Sequence, residues 1–181
     1  MKYIGVFVLI IVSAFFFFPI IKPKSKMLVL RLNIRSEPKA MDPRKGGEML
    51  SAQMQFLFFE GLVKMYPDQS MKLAQAKSYE VSEDKLIYTF HLKDTVWSNN
   101  TPVTAYDFEQ SWKDILNPKF PSAREQLLSA VKNAEAAKKG LVSLDEVGIK
   151  AMDAKTLVVT LERPIPYLFR LLSFCAFSPV N

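Results

Sequence analysis

The stretch from 97 to 112, Trp-Ser-Asn-Asn-Thr-Pro-Val-Thr-Ala-Tyr-Asp-Phe-Glu-Gln-Ser-Trp, constrains the fold most, because a strand must end, a turn must form and a helix must begin inside it. Ser98, Asn99, Asn100 and Pro102 are turn formers: Asn tolerates positive φ, and Pro presets φ and removes an amide donor. Thr104, three residues before Asp107, reads as a helix N-cap with an acid in the first turn, where it meets orphan amides and the positive helix end. Ala105, Phe108, Trp112 and Ile115 then fall three or four apart, with Glu109, Gln110, Lys113 and Asp114 on the other side. That is the pattern of an amphipathic helix laid over a sheet. Burying each large apolar residue should contribute about 1.5 to 3 kcal/mol, against about 1 kcal/mol for the cap.

Sheet signals lie on both sides of this helix. Residues 78–82 and 86–92 bracket Glu83-Asp84-Lys85 and predict a hairpin in which Leu86, Tyr88, Phe90 and Leu92 share one face. A slip of one residue would expose that whole aromatic row, so the register is strongly specified. Residues 147–152 and 156–161 predict a second hairpin around Asp153-Ala154-Lys155, and residues 61–66 a short strand ended by Pro67-Asp68. Residues 27–35 alternate, Leu28, Leu30, Leu32 and Ile34 against Val29, Arg31 and Asn33, which predicts a half-buried strand. Residues 49–59 predict a helix with Met49, Ala52, Phe56 and Phe59 near one face. Residues 123–139 predict one or two helices ended by Gly140, and a final apolar segment, 167–174, follows Pro164 and Pro166. The expected fold class is α+β: an antiparallel sheet with packed helices, preceded by an N-terminal apolar helix.

That N-terminal helix is expected because residues 3–21 run without a charge. At about 1.5 Å per residue, such a helix nearly matches a hydrocarbon core of roughly 30 Å. Residues 1–26 are therefore expected to be a signal or membrane-anchor segment with a tether, engaging the cytoplasmic membrane, and residues 27–181 the folded domain. Val12-Ser13-Ala14 offers the small residue a signal peptidase needs, yet cleavage there would leave the Phe run at 15–18 on the product, so both outcomes stay open. The segment also explains the charge. Four of the 24 basic residues, Lys2, Lys22, Lys24 and Lys26, lie in residues 1–26, which hold no acid; the remainder carries 20 basic against 18 acidic groups. A nearly neutral domain with scattered basic residues does not point to nucleic acid. The lysines after the apolar run suit a membrane surface, although by the positive-inside rule they pull against export.

Little in the sequence suggests chemistry. His91 is the single histidine and lies mid-strand with no nucleophile expected beside it. Cys175, the single cysteine, lies among Phe174, Ala176 and Phe177 and reads as a small buried apolar residue. One His and one Cys, far apart in sequence, build no usual metal site, and Gly46-Gly47 is a loop feature. No enzyme activity, cofactor or metal is expected.

The block from Ala76 through Tyr79-Glu80-Val81-Ser82-Glu83-Asp84 and Leu86-Ile87-Tyr88-Thr89-Phe90-His91-Leu92-Lys93-Asp94 to Trp97-Ser98 resembles the peptide-type extracytoplasmic solute-binding proteins of bacterial ABC importers, the oligopeptide-binding proteins above all. Further matching pieces lie in family order: Ser36-Glu37, Met41-Asp42-Pro43, Phe59-Glu60-Gly61-Leu62, Val147-Gly148-Ile149-Lys150-Ala151-Met152-Asp153, and Val158-Val159-Thr160-Leu161-Glu162-Arg163-Pro164-Ile165-Pro166-Tyr167. The resemblance implies the N-terminal portion of a two-lobed periplasmic-binding-protein-like fold, the rest of which lies outside these residues. It implies capture of peptides outside the cytoplasmic membrane, in the periplasm or cell envelope, and delivery to an ABC permease. It also implies that the loop after the first strand lines the peptide cleft, with Ser36, Glu37, Gly47, Glu48 and Met49 as the binding positions. A half receptor that needs a companion C-terminal chain, docking through the strand at 27–35 and the apolar end at 168–177, and an inactive remnant are the alternatives.

Overall fold

A computed structural model describes residues 28–34 and 36–181. Among the described residues, 28–33 fall outside the compact unit Ile34–Asn181. The expected membrane segment lies outside the described residues; among those described, no helix is long and apolar enough to cross a membrane.

In order, the elements are α1 (Met49–Phe58), β1 (Val63–Met65), β2 (Met71–Leu73), β3 (Ala76–Val81), β4 (Ile87–Leu92), α2 (Ala105–Leu116), α3 (Ala134–Lys138), β5 (Ile149–Ala151), β6 (Thr156–Thr160) and α4 (Leu168–Leu172). Short 3-10 turns occupy Glu125–Leu128, Leu144–Glu146 and Cys175–Phe177. β1 and β2 form a two-stranded ribbon, and the main sheet has the antiparallel order β3-β4-β6-β5. Both expected hairpins are present, β3-β4 and β5-β6, and β4 pairs with β6 to join them, Phe90 opposite Leu157.

The register follows the aromatic row. Tyr88, Phe90 and Leu92 are buried while Ile87, Thr89 and His91 face outward. Leu157 and Val159 of β6 and Ile149 of β5 continue the buried face, so one side of the sheet is core and the other is wetted. Gly148 stands where β5 begins: its amide bonds Lys132, its carbonyl accepts from Thr160, and a Cβ there would collide with the Thr160 carbonyl. On the buried face, Phe169 of α4 packs 4.7 Å from Tyr79 and 6.2 Å from Phe90, ring centre to ring centre.

α2 covers this face as its sequence predicts. Ala105, Phe108, Trp112 and Ile115 are all buried, joined by Ser111 and Leu116. At its start the Asp107 carboxylate accepts from the Thr104 amide at 2.7 Å, the acidic half of a capping box. Trp112 is fully buried, stands edge-on to Phe177 at 5.2 Å and donates its indole N–H to the Phe177 carbonyl at 3.0 Å. A buried Trp needs such a partner, and this one clamps the end of the chain to the central helix. The far end of α2 is closed by Lys138, whose ammonium donates to the carbonyls of Ile115, Asn117 and Phe120 at 3.0–3.1 Å. A cation on the last carbonyls satisfies orphan acceptors at the negative helix end.

Two expectations fail here. Residues 28–34 form no strand, and Leu28, Val29 and Leu30 are exposed. Alternation makes a segment fit a sheet, but a strand exists only through neighbours that take its amides and carbonyls, and none pairs with it among the described residues. Residues 123–139 hold a 3-10 helix and the short α3, followed by Gly140 at positive φ as expected, and Val131 between them bridges to Leu161. The second failure concerns which side of α1 is inside: the expected helix is present, but its buried face is polar, with Ser51 and Gln55 inside and Met49 and Phe56 exposed.

Candidate ligand-binding loop

Residues 36–48 connect into α1 and are tied down by side chains rather than by a sheet. Arg44 is the centre of the loop. Its backbone amide and Nε donate to Asp42 Oδ1 at 3.0 Å, Nη2 donates to Asp42 Oδ2 at 2.9 Å, and Nη1 reaches Asp114 of α2 at 2.7 Å. Its guanidinium lies 5.2 Å from the centre of the Phe120 ring, and its carbonyl accepts from Ser122 Oγ at 2.6 Å. Burial pushes the Asp42 carboxyl up, but the hydrogen bonds and charge of Arg44 outweigh it and hold the group below the usual carboxylate range. The hydrogen bond to Asp42 in turn raises the Arg44 pKa. The loop is thereby fastened to the end of α2 and to the Pro-rich break after it.

The polar face of α1 makes the second attachment. Gln55, 1% exposed, donates Nε2 to the Ala40 carbonyl at 3.0 Å, and Ser51 Oγ accepts from the Ala40 amide at 3.1 Å. Ser51 Oγ donates to Glu48 Oε1 at 2.9 Å, and the same oxygen accepts from the Lys39 amide at 3.1 Å. That amide bond first, then Glu48's own amide and Ser51, keep the Glu48 carboxyl below its ordinary pKa. Its other oxygen, Oε2, is shielded from solvent and has no hydrogen-bond partner among the described residues. Gly47 sits at φ +150°, and a Cβ there would lie 2.7 Å from Ser51 Cβ, so the turn into α1 needs glycine.

Of the five residues expected to bind ligand, Gly47, Glu48 and Met49 gather at the start of α1, Met49 with 79% of its surface free. Ser36 and Glu37 are exposed near the other end of the loop. The five do not close a chamber. An open, mainly apolar cavity of about 350 Å³ lies elsewhere, beside β1, with Phe56, Phe59, Val63, Met65, Phe174 and Cys175 in its wall. Cys175 is buried as expected, and burial pushes its thiol up to about 11. Most of the apolar end proposed for docking is internal: Leu168, Leu172, Ala176 and Phe177 belong to the core, and Phe174 is half exposed.

Sequence reasoning missed Arg44 and Gln55, which hold the loop. Gln55 stands one helical turn after Ser51, a polar pair at i, i+4 inside an apolar helix, and that spacing was the available signal.

Known proteins match this arrangement. Residues 70–181 fit the sequence profile of bacterial extracellular solute-binding proteins, family 5, middle region. The oligopeptide-binding protein OppA of Bacillus subtilis is 40% identical over 153 residues, which cover 84% of this chain and 28% of that protein. A probable deoxycholate-binding periplasmic protein of Escherichia coli, YgiS, is 35% identical over 161 residues, 87% of this chain and 30% of that one. The substrate-binding domain of an oligopeptide ABC transporter from Bacillus anthracis superposes with a TM-score of 0.76 at 37% identity, covering 78% of this chain and 27% of the solved one. The chain thus spans under a third of the length of the relatives it matches. Profile, identity and superposition agree, and the chain belongs to the family 5 bacterial extracellular solute-binding proteins.

Proposed function

We propose that this chain is the N-terminal part of a peptide receptor of an ABC importer, non-catalytic, capturing peptides outside the cytoplasmic membrane for a permease. Residues 3–21 engage that membrane, either as a signal that is removed or as an anchor that stays. The observation that carries the reading is the 40% identity to a protein named for oligopeptide binding, over 153 residues, 84% of this chain. The loop supplies a surface suited to peptide capture, since Ser36, Glu37 and Gly47 are exposed and Met49, next to Glu48 at the start of α1, offers an adaptable thioether. An extended peptide gains affinity from main-chain hydrogen bonds while pockets tolerate varied side chains.

A loop on one wall is half a cleft. Ligand sites bury about 70 to 90% of a small ligand, which an open loop does not do, so full affinity requires the complementary portion of a receptor. A tri- to pentapeptide carrying a photoreactive side chain, mixed with this chain and that portion, is expected to label residues within 36–49. Labelling confined to the sheet would sink the proposed site, and displacement by deoxycholate but not by unlabelled peptide would move the substrate class to that named for the Escherichia coli relative.

A further inference from the structure

Two arginines stand at the candidate loop, and only one of them has its charge answered among the described residues. Arg44 is held by Asp42 and Asp114, at 2.9 and 2.7 Å. Arg124 belongs to the segment after α2 that is tied to the loop: Ser122 Oγ donates to the Arg44 carbonyl at 2.6 Å and accepts from the Arg124 amide at 3.0 Å. The Arg124 guanidinium lies against Gly46, where an added Cβ would stand 3.1 Å from Nε and 3.7 Å from Cζ. Gly46, at φ +86°, thus leaves room for the arginine as well as making the turn.

Arg124 is half-buried, and its Nε is shielded from solvent without a hydrogen-bond partner; Nη1 and Nη2 are not shielded in this way. Among the described residues it enters no ion pair. The acids around the loop are engaged elsewhere or do not reach it. Asp42 and Asp114 serve Arg44, Glu48 accepts from Ser51 and the Lys39 amide, and Glu125, the next residue, makes no ion pair with it. A guanidinium keeps its charge at any physiological pH, so a half-buried one without a counter-ion bears an uncompensated loss of hydration. Its planar fork is matched by a carboxylate, which can accept two of its N–H groups at once.

We propose that Arg124 is a specificity-determining residue of the candidate loop and pairs with a carboxylate of the bound peptide. The inference rests on the peptide-receptor reading and narrows it, from peptides at large to those that present an acid beside Gly46. A neutral ligand leaves the guanidinium unanswered, and a site with an unanswered buried polar group discriminates against the ligand that fails to meet it. An acidic side chain and a C-terminal carboxylate offer the same chemistry, and Arg124 is the partner in either case.

Nitrogen NMR of the full 181-residue chain in neutral-detergent micelles follows the Arg124 Nε–H signal directly, at the weak affinity of an open loop. Three tripeptide probes separate the sources of charge: Ala-Gln-Ala amide carries no carboxylate, Ala-Glu-Ala amide carries one in its side chain, and Ala-Gln-Ala acid carries one at its C-terminus. One or both acids are expected to saturate the Arg124 shift at a concentration at least about tenfold below the amide, a difference of about 1.4 kcal/mol, and the acid that does so identifies the source. Arg124→Gln should abolish the preference and Arg124→Lys should keep part of it, which a merely structural role would not produce. If Arg124→Gln does not fold, the ranking of the three probes on the unaltered chain decides. Equal affinity for all three, with residues 36–49 responding, would overturn the inference and leave the peptide reading standing. An Arg124 signal that no probe moves, or a preference that survives in Arg124→Gln, would overturn it too. A signal moved by acetate but by neither peptide acid would keep the carboxylate pairing and defeat the peptide reading.

Discussion

Helices α1 and α2 invert one another. α2 turns Phe108, Trp112 and Ile115 into the core and leaves Gln110 toward solvent, while α1 buries Ser51 and Gln55 and leaves Phe56, Leu57 and Phe58 at the surface. α2 is amphipathic, whereas α1 is apolar nearly all round, and they differ in what each face is offered. α2 has a finished sheet to cover. α1 has a loop whose carbonyls and amides need polar partners, and its exposed Phe56 stands in the wall of the apolar cavity beside β1. An apolar face predicts burial only where a neighbour exists, and the contrast marks which part of the chain is self-sufficient.

Trp112→Ala should produce the largest loss, about 3 to 5 kcal/mol in urea unfolding, because it empties a fully buried site and frees the Phe177 carbonyl. A near-neutral result would remove α2 from the core. Gln55→Leu keeps the volume of α1's inner face but strands the Ala40 carbonyl, and should cost about 1 to 3 kcal/mol. If it stabilised instead, the buried face of α1 would be apolar after all. Asp42 gives a smaller, pH-dependent contribution. Its folded pKa lies below the ordinary value of 3.8, so the stability it confers is present above that value and fades as pH falls toward the folded pKa. Asp42→Asn should therefore flatten the acid limb of a pH-stability profile, and an unchanged limb would detach Asp42 from the Arg44 cluster. Phe58→Ser should be the mildest change, within about 0.5 kcal/mol, since a residue 66% exposed has little burial to lose. A large loss there would show that α1 buries its apolar side.

The parts of the fold that could be read in advance are those set by local chemistry. Thr104 and Asp107 announce the start of α2, and the row Tyr88, Phe90, Leu92 announces the buried face of β4. What could not be read depends on partners far away in sequence. The pairing of β4 with β6 joins residues about 70 apart, β2 is too short and exposed to leave a pattern, and Lys138 closes a helix that ends more than twenty residues earlier. Residues 28–34 show the converse, a clear strand pattern with no strand to pair with among the described residues. In the candidate loop, resemblance pointed to Ser36, Glu37, Gly47, Glu48 and Met49, while the Arg44 and Gln55 contacts that hold the loop appear only once helix and loop are folded against each other.

Calorimetric titration of a mixed tri- to pentapeptide pool into the full chain, alone and after addition of the complementary receptor portion, measures directly whether this is one wall of a cleft. Heats that saturate only after that addition are the predicted result. Micromolar, saturable binding by the chain on its own would contradict it.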